Sequence, residues 1–302
     1  MNKPVWLNGP PNRLLMATDL SARCDRALDR TAQLARQWQA EILALNVLES
    51  SQSPDLALAW AYGKAPDNAA IARRQLQQDL AGADVSFNVK IATGDAAETI
   101  KKIATEHDCS LIVSGMARNE TFGRFLPGST VERLARSVSQ PLLVVRNRPH
   151  GAYRHIVVTS DFSESSRHAL AAALRYFPEQ RLSLYYAHKV PLSAAADASA
   201  AGEKGDAVPA SVRNRIQQEY EAFLQACALG TDDRKRVALV AAQGALEIVL
   251  THYVRQHDID LVVMGSHGRS GLMNALLGSA AAKLLDWLPC DTLIVRDPRA
   301  HE

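Results

Sequence analysis

Residues 265–279 read Gly-Ser-His-Gly-Arg-Ser-Gly-Leu-Met-Asn-Ala-Leu-Leu-Gly-Ser and join two segments of different character. The preceding residues 260–264, Asp-Leu-Val-Val-Met, form a short apolar run that is typical of a buried parallel strand. Residues 280–288 are rich in helix formers and end before Pro289. Glycines let a backbone approach a ligand closely, and a helix that begins near Gly278 directs unpaired N–H groups into the loop. The segment therefore predicts a strand–loop–helix cradle for an anion, most naturally phosphate.

The spacing of the residues in this loop is specific. Gly265 and Gly268 are separated by two residues, nine more residues precede Gly278, and Ser279 follows directly. This pattern resembles the G-x2-G-x9-G-[S/T] motif of ATP-binding universal stress proteins. It differs from the P-loop, which needs G-x4-G-K-[S/T], and from the dinucleotide fingerprint G-x-G-x-x-G.

Composition and charge narrow the possible classes of protein. The chain has 302 residues, 47% hydrophobic and 22% charged, which predicts about two ordinary globular domains. A formal charge of +2 without basic–aromatic blocks argues against a nucleic-acid partner. The sequence lacks an apolar run of membrane-spanning length and a signal-peptide core, so we expect no membrane partner and a cytoplasmic location. Four scattered cysteines favour reduced thiols, and no metal site is predicted.

The chain contains an internal repeat. Asp19 and Asp161 lie in similar segments 142 residues apart, whereas Gly115 and Gly265 lie 150 residues apart. The second copy therefore carries an insertion, for which we expect a mobile loop over residues 193–206, rich in Ala, Ser, Gly and Asp. We predict two domains, residues 1–148 and 149–302.

Strands and helices alternate in both copies, which predicts α/β domains with parallel sheets and right-handed crossovers. The resemblance covers nearly the whole chain. It implies two tandem Rossmann-like domains of the adenine nucleotide alpha hydrolase-like type, each a five-stranded parallel sheet of order 3-2-1-4-5 with helices on both faces. In the first copy, Ser21 is expected to cap a helix that runs to about Gln39.

The resemblance implies an adenine-nucleotide site in the second copy, with ATP or AMP as ligand and Mg²⁺ brought by the nucleotide. Asp161 would accept hydrogen bonds from the ribose; the alternative is that it only begins a helix. The alternative for Gly278-Ser279 is a plain helix start, and for Arg269 a solvated surface position. The predicted nucleotide-binding residues are Asp161, Met264, Gly265, Gly268, Arg269, Gly278, Ser279 and Ala280.

The first copy departs from the motif because Arg118 replaces its second glycine. An arginine obstructs close approach of a triphosphate, although its guanidinium can hold a smaller anion. The second copy has Lys189 where the first has Val47, so its base pocket depends on whether the lysine stem packs. The candidate nucleotide-binding residues of the first copy are Asp19, Val47, Gly115, Arg118, Gly128 and Ser129.

No general base or fixed metal for fast hydrolysis is evident in the sequence. Adjacent residues such as Ser266 and His267 rarely point at each other well enough to act as nucleophile and base, so His267 is expected to face solvent or the phosphates. We expect a stress-response protein that binds an adenine nucleotide as a regulatory ligand and has no catalytic residues. The alternatives are an interaction module of the same fold that binds no nucleotide, and a slow ATP hydrolase.

The last strand of each copy, residues 142–145 and 292–295, would leave a sheet edge that favours pairing. We predict that the two edges pair within one chain, as an internal pseudo-dimer that can dimerise further.

Overall fold

The computed structural model describes residues 9–22, 24–48, 67–116, 129–188, 209–267 and 277–296. These residues form two compact units. The first unit extends to Ala152 and also includes Asp291–Ile294, and the second contains Tyr153–Cys290 and resumes at Val295. Two predicted segments lie outside the described residues: the insertion at 193–206 and most of the loop between Gly265 and Gly278.

Each copy alternates strands and helices in the predicted order. The strands of the first copy are β1 (Arg13–Thr18), β2 (Glu41–Leu48), β3 (Phe87–Thr93), β4 (Leu111–Gly115) and β5 (Leu142–Val145). Its described helices are α1 (Asp25–Trp38), α2 (Asn68–Ala81), α3 (Ala96–Glu106) and α4 (Thr130–Ser137). The strands of the second copy are β6 (Ile156–Thr159), β7 (Leu182–His188), β8 (Val237–Gln243), β9 (Leu261–Gly265) and β10 (Asp291–Val295). Its described helices are α5 (Glu164–Tyr176), α6 (Ala210–Ala226), α7 (Thr231–Lys235), α8 (Leu246–Gln256) and α9 (Ser279–Trp287).

The sheet of the first unit has the order β3-β2-β1-β4-β5, and neighbouring strands in this series are parallel. Strand β10 lies beyond β5 and is antiparallel to it, with Leu293 opposite Leu143. The predicted strand order and the predicted pairing of the two last strands are therefore both observed.

In the second unit the parallel order is β8-β7-β6-β9. Beyond the end of β9, Ser266 N donates to the carbonyl of Val295, the last residue of β10, over 3.1 Å. Strands β6 and β9, the first and fourth of this copy, are neighbours, as the order 3-2-1-4-5 requires. Ligands of open α/β sheets bind at the carboxyl ends of such a pair of strands, where the strand order reverses.

The central strands are buried on both faces, which is why they are continuous apolar runs. Leu14, Leu15 and Met16 of β1, and the apolar residues Leu261–Met264 of β9, are almost fully inaccessible to solvent. Burial of this kind stabilises the sheet by roughly 25 cal/mol for each Å² of apolar surface removed from water.

The duplication is visible in the backbone conformation. Leu20 and Phe162, equivalent positions after the first strand of each copy, have positive φ angles of 62° and 61°. Gly94 and Gly244, each located after the third strand, have φ angles of 136° and 144°. A residue with a side chain is strained at such angles, so the backbone conformation itself favours glycine at this position in both copies.

The predicted cap of the first helix is wrong. Helix α1 begins at Asp25 and follows Cys24, not Ser21. The amide and hydroxyl of Ser21 instead donate to Asp19 Oδ1, over 2.9 Å and 2.6 Å, so the serine closes a turn before the helix. In the second copy, Ser163 does cap α5, because its hydroxyl accepts from Ser166 N.

Candidate functional site

The carboxylate that ends the first strand of the second copy holds the start of the next helix. Asp161 Oδ1 accepts from Ser163 N over 3.0 Å and from Ser166 Oγ over 2.8 Å. Asp161 therefore stabilises the turn before α5, whose N-cap is Ser163 and whose first residue is Glu164. Its contact with a ribose stays a prediction.

The equivalent carboxylate of the first copy has the same contacts with one substitution. Asp19 Oδ1 accepts from Ser21 and lies 3.1 Å from the thiol of Cys24, which stands where the second copy has Ser166. Partial burial opposes ionisation of Asp19, but the hydrogen bonds from Ser21 and Cys24 outweigh it and lower its pKa. Burial and the neighbouring carboxylate raise the pKa of Cys24, so this thiol acts as a neutral donor.

Gly265 is the last residue of β9, and it lies against Ser165 of α5. A Cβ added to Gly265 would lie 2.3 Å from Ser165 Oγ and 3.0 Å from the Ser165 carbonyl oxygen. No real Cβ makes such contacts, so this glycine is needed for packing whether or not a ligand is bound. Met264, the preceding predicted site residue, has a side chain buried in the core and could offer only its backbone.

Helix α9 begins directly at the glycine–serine pair of the motif. Gly278 is its N-cap, and Gly278 N donates to the Ser266 carbonyl over 2.9 Å. Among the residues that the structure describes, no side chain caps this helix, and its first turn contains no acidic residue. Ser279 and Ala280 are exposed there. The amino terminus of α9 thus keeps both its amide donors and its positive dipole end available.

The equivalent helix of the first copy satisfies its own amino terminus. Ser129 is the N-cap of α4, and its hydroxyl accepts from Glu132 N over 3.3 Å. Glu132 also places a carboxylate in the first turn, paired with Arg136. Serine followed three residues later by glutamate is the sequence signature of a capping box, and this acid competes with an anionic ligand.

Ser266 and His267 follow Gly265, and their side chains are in contact. Ser266 Oγ lies 2.8 Å from His267 Nδ1, and Ser266 is only 1% exposed. The two side chains are therefore within hydrogen-bond distance, and the expectation that they do not act as nucleophile and base stays a prediction. His267 Nε2 is buried, and it has no hydrogen-bond partner in the described part of the chain.

Two further polar residues at the strand ends escaped sequence reasoning. Asn46 of β2 and His188 of β7 occupy equivalent positions, just before Val47 and Lys189, and are 3% and 4% exposed. Asn46 donates to the Thr18 carbonyl, whereas Asn46 Oδ1 and His188 Nδ1 have no partner in the described ranges. A polar residue near the end of an otherwise apolar strand is the signal that could have found them.

An aromatic cluster adjoins Asp161. The ring of Phe162 lies 4.5 Å from Tyr186 and 5.4 Å from Phe223, measured between centroids. Tyr186 in turn stacks on His188 at 6.2 Å. Phe162 and Phe223 also line a groove of about 360 Å³, whose other lining residues belong to α5 and α6 and not to the strand ends. The strand ends of the second copy thus offer apolar surface beside polar groups, as small-molecule sites do.

The structure gives the position of two further predicted site residues, Val47 and Gly115, and their contact with a ligand stays a prediction. Other predicted site residues lie outside the described residues. Val47 is half-buried near the end of β2, and Gly115 is the buried last residue of β4. The positions that the structure does not describe are Gly268, Arg269, Arg118, Gly128 and Lys189.

The described ranges contain no group of three or more His, Cys, Asp or Glu side chains that could hold a metal ion. They also contain no helix long and apolar enough to cross a membrane. All four cysteines are free, and burial raises the pKa of Cys109 to about 11.

Comparison with known proteins identifies the family. The model of the universal stress protein family matches twice, over residues 11–146 and 152–296. The universal stress protein MJ0531 of Methanocaldococcus jannaschii is 24% identical over 157 residues, which cover 52% of this chain and 89% of that protein. The universal stress protein YxiE of Bacillus subtilis is 27% identical over 149 residues, covering 48% of this chain and 99% of that protein.

Among solved structures, the protein PA1789 of Pseudomonas aeruginosa matches with a TM-score of 0.67 and 18% identity, covering 99% of this chain and 96% of that one. A universal stress protein of Archaeoglobus fulgidus matches with a TM-score of 0.64 and 18% identity, covering 94% and 98%. These likenesses concern the fold, and they extend over both copies. With its two family matches, the chain belongs to the universal stress protein family and carries two domains of that family in tandem.

Proposed function

We propose that this chain is a stress-response protein that binds one adenine nucleotide, ATP or AMP, at the carboxyl ends of β6 and β9 in the second copy. The nucleotide acts as a regulatory ligand, and it brings Mg²⁺ with its phosphates when that ion is present. No residue is assigned a catalytic role.

The observation that carries the proposal is the amino terminus of α9. It follows the complete glycine motif, and its first turn has neither a side-chain cap nor an acidic residue in the described structure. A phosphate is the natural partner for such a helix start. The equivalent turn of α4 is capped by Ser129 and carries Glu132, so the proposal is limited to the second copy.

The residues of the second copy fit the chemical groups of a nucleotide. Gly278, Ser279 and Ala280 present the first amides of α9 to the phosphates, with the exposed Ser279 hydroxyl beside them. Asp161 faces the ribose, and the backbone at Met264 and Gly265 borders the sugar. Apolar surface for the base comes from the aromatic residues next to Asp161.

One observation favours the alternative of an interaction module without nucleotide. Packing against Ser165 requires a glycine at position 265, so this part of the motif is explained without a ligand. Gly278 differs, because its φ angle is −57° and an added Cβ would meet the Ser266 carbonyl at 3.3 Å, a tight but adjustable contact.

The two functions are separated by ligand analysis of the full-length chain. Protein purified without denaturant is unfolded, and the released small molecules are identified by mass spectrometry; we expect ATP or AMP. Calorimetry then compares ATP binding to the wild type and to Gly278→Ala. We expect affinity to fall at least tenfold, about 1.4 kcal/mol, because the Cβ displaces the Ser266–His267 backbone. A protein that carries no nucleotide and binds none in calorimetry is an interaction module.

The matched control is Asp19→Asn in the first copy, compared with Asp161→Asn. Both carboxylates accept from the turn that follows their strand. A general effect on the fold would therefore appear in both variants, which urea unfolding measures. Loss of ATP affinity is expected only for Asp161→Asn.

A further inference from the structure

Strand β8 lies at the edge of the sheet in the second unit. Among the residues that the structure describes, it pairs with β7 on one side, and no strand pairs with its other side. An open edge of this kind presents a row of backbone N–H and C=O groups that can pair with another chain. Strand β3 of the first copy has the equivalent position beside β2, so the internal repeat allows the two edges to be compared.

The hydrogen bonds to β7 show which backbone groups of β8 point outward. At the two ends of the strand, the Arg236 carbonyl accepts from Leu182 N over 2.8 Å, and Gly244 N donates to the His188 carbonyl over 2.9 Å. Hydrogen bonding alternates along a strand, so the even-numbered residues between these two ends also face β7. The N–H and C=O groups of the odd-numbered residues therefore point away from the sheet; these residues are Val237, Leu239, Ala241 and Gln243.

Three consecutive outward positions of β8 are open. The Val237 carbonyl accepts from the Tyr220 hydroxyl of α6 over 2.9 Å, so the first position is covered. In the described part of the chain, no hydrogen bond reaches the outward groups of Leu239, Ala241 or Gln243. Ala241 and Gln243 are exposed, and Leu239 is half-buried. The edge from Leu239 to Gln243 is therefore available for pairing.

The equivalent edge of the first copy is blocked. Val89 of β3 is equivalent to Leu239, and its carbonyl accepts from Arg73 of α2 over 3.0 Å. Strand β3 also carries Lys90 where β8 has Val240. Lysines on an edge strand and groups that cover the edge are means by which proteins prevent edge-to-edge pairing. Strand β8 contains no charged residue, so its open edge lacks this protection.

The open edge of β8 is complementary to itself. When two copies of β8 are placed antiparallel about an axis at Ala241, Ala241 faces its own counterpart and Leu239 faces Gln243 of the other copy. All three outward residues then exchange both backbone hydrogen bonds with the residue opposite. Between them Val240 lies opposite Ala242, so the contact brings no like charges together.

The chain already contains one pairing of this kind. Leu143 of β5 lies opposite Leu293 of the antiparallel β10, and the two leucines are equivalent positions of the repeat. Equivalent strands of this fold thus pair edge to edge in antiparallel orientation. We propose that two copies of the chain associate through β8 in the same manner, with Ala241 at the centre of the contact. The interaction does not involve the nucleotide site, so it does not depend on the proposed function.

The association is expected to be weak and reversible. Three paired residues in each strand bury far less surface than the roughly 1,600 Å² of a standard protein–protein interface. We therefore expect a dissociation constant of about 10–1,000 µM. Sedimentation velocity on the full-length chain, at concentrations up to about 1 mM, is expected to show a monomer that becomes a dimer as the concentration rises.

A charge at the centre of the contact tests the register. Ala241→Lys and Ala241→Glu each place like charges opposite one another in the symmetric dimer, and each is expected to weaken self-association about threefold to fivefold. An equimolar mixture of the two variants places lysine opposite glutamate, so its association is expected to be at least as strong as that of the wild type. Thr93→Lys adds the same charge to an exposed position of β3 and is the control, which should associate like the wild type.

Amide hydrogen exchange of the wild type, followed by NMR, tests the contact without a substitution. The outward amides of Leu239 and Ala241 are expected to exchange more slowly at about 1 mM than at about 20 µM, because the partner strand accepts from them. The amides of Val240 and Ala242, which face β7, should exchange at the same rate at both concentrations.

Three results would overturn the proposal. The first is a wild-type chain that stays monomeric at about 1 mM. The second is a dimer of equal strength in the wild type, in both Ala241 variants and in their mixture. The third is a dimer whose formation leaves the exchange of the Leu239 and Ala241 amides unchanged. In the last two cases the chains associate through another surface.

Discussion

Arg30 Nε lies 3.3 Å from Asp291 Oδ2, and the two side chains are only 5% and 0% exposed. Arg30 belongs to α1, whereas Asp291 begins β10, far along the chain. The other carboxylate oxygen of Asp291 accepts from the amides of Arg146 and Asn147, over 2.8 Å and 3.0 Å, where the chain leaves β5. One buried carboxylate thus joins α1, β10 and the segment after β5.

Replacing Asp291 should destabilise the protein strongly. In Asp291→Ala the buried guanidinium of Arg30 loses its counter-charge, and two amides lose their acceptor. Removing one partner of a buried pair costs about 3–5 kcal/mol, and we expect a loss of that size in urea unfolding.

The control for Asp291→Ala is Glu106→Gln, which breaks the exposed pair with Lys102 on α3. Its cost should stay below about 1 kcal/mol. Equal losses in the two variants would mean that the buried carboxylate has no special role.

Gly265→Ala should reduce stability through packing. Its Cβ would lie 2.3 Å from Ser165 Oγ, so β9 or α5 has to move. Overpacking of this kind costs about 1–3 kcal/mol, measurable by denaturant unfolding. Adding Ser165→Ala removes the hydroxyl and should restore part of the loss, but the Ser165 carbonyl at 3.0 Å remains. A Gly265→Ala protein as stable as the wild type would contradict the packing argument.

An acidic residue in the first turn of α9 should weaken ATP binding. Ala282 is equivalent to Glu132 in the repeat and lies four residues after the N-cap Gly278, so Ala282→Glu brings a carboxylate close to the start of α9. The carboxylate opposes an anion at the helix start, and we expect affinity to fall about threefold to tenfold in calorimetry. Ala282→Gln, which has the same shape without the charge, is the control and should bind like the wild type.

The same calorimetry reports the stoichiometry, which we expect to be about one nucleotide per chain, because the first copy has a capped α4 and Arg118 in its motif. Two equivalent sites per chain would contradict this asymmetry, as would Arg118→Gly leaving ATP binding in the first copy unchanged.

Stability should fall on mild acidification because of His188. Burial, with a smaller contribution from the positive charge of Arg215, lowers the pKa of this histidine in the folded protein. The unfolded chain, with an ordinary histidine pKa near 6.5, then binds more protons, so the free energy of unfolding decreases as the pH falls below that value. Thermal unfolding at pH 7.5 and pH 5.5 measures the decrease.

His188→Asn is the matched variant, because the first copy has Asn46 at the equivalent position. Asparagine does not titrate, so the difference in melting temperature between the two pH values should be smaller in this variant. An identical pH dependence in both proteins would exclude His188 as its source.

Much of the candidate site could be predicted from local sequence, and the failures share a cause. The motif glycines, Asp161 and the start of α9 depend on residues close together in the chain, where strand, loop and helix signals are strong. Capping of α1 by Ser21 was wrong because Asp19, two residues earlier, competes for the same hydroxyl and amide. The contact between Ser266 and His267 was not predicted, because the turn after β9 sets the direction of both side chains.

Periodicity and repetition in the sequence were sufficient for the α/β class, the tandem duplication and the position of the strands, because apolar runs and glycine spacings are local and occur twice. Long-range contacts were needed for the rest. Local sequence does not show that Ser165, about 100 residues away, leaves no room for a side chain at Gly265. It also does not show that Asp291 forms an ion pair with Arg30. The burial of Asn46 and His188 at the strand ends is a third such relationship. Such relationships arise only when distant segments pack together, because burial and charge pairing depend on neighbours in space.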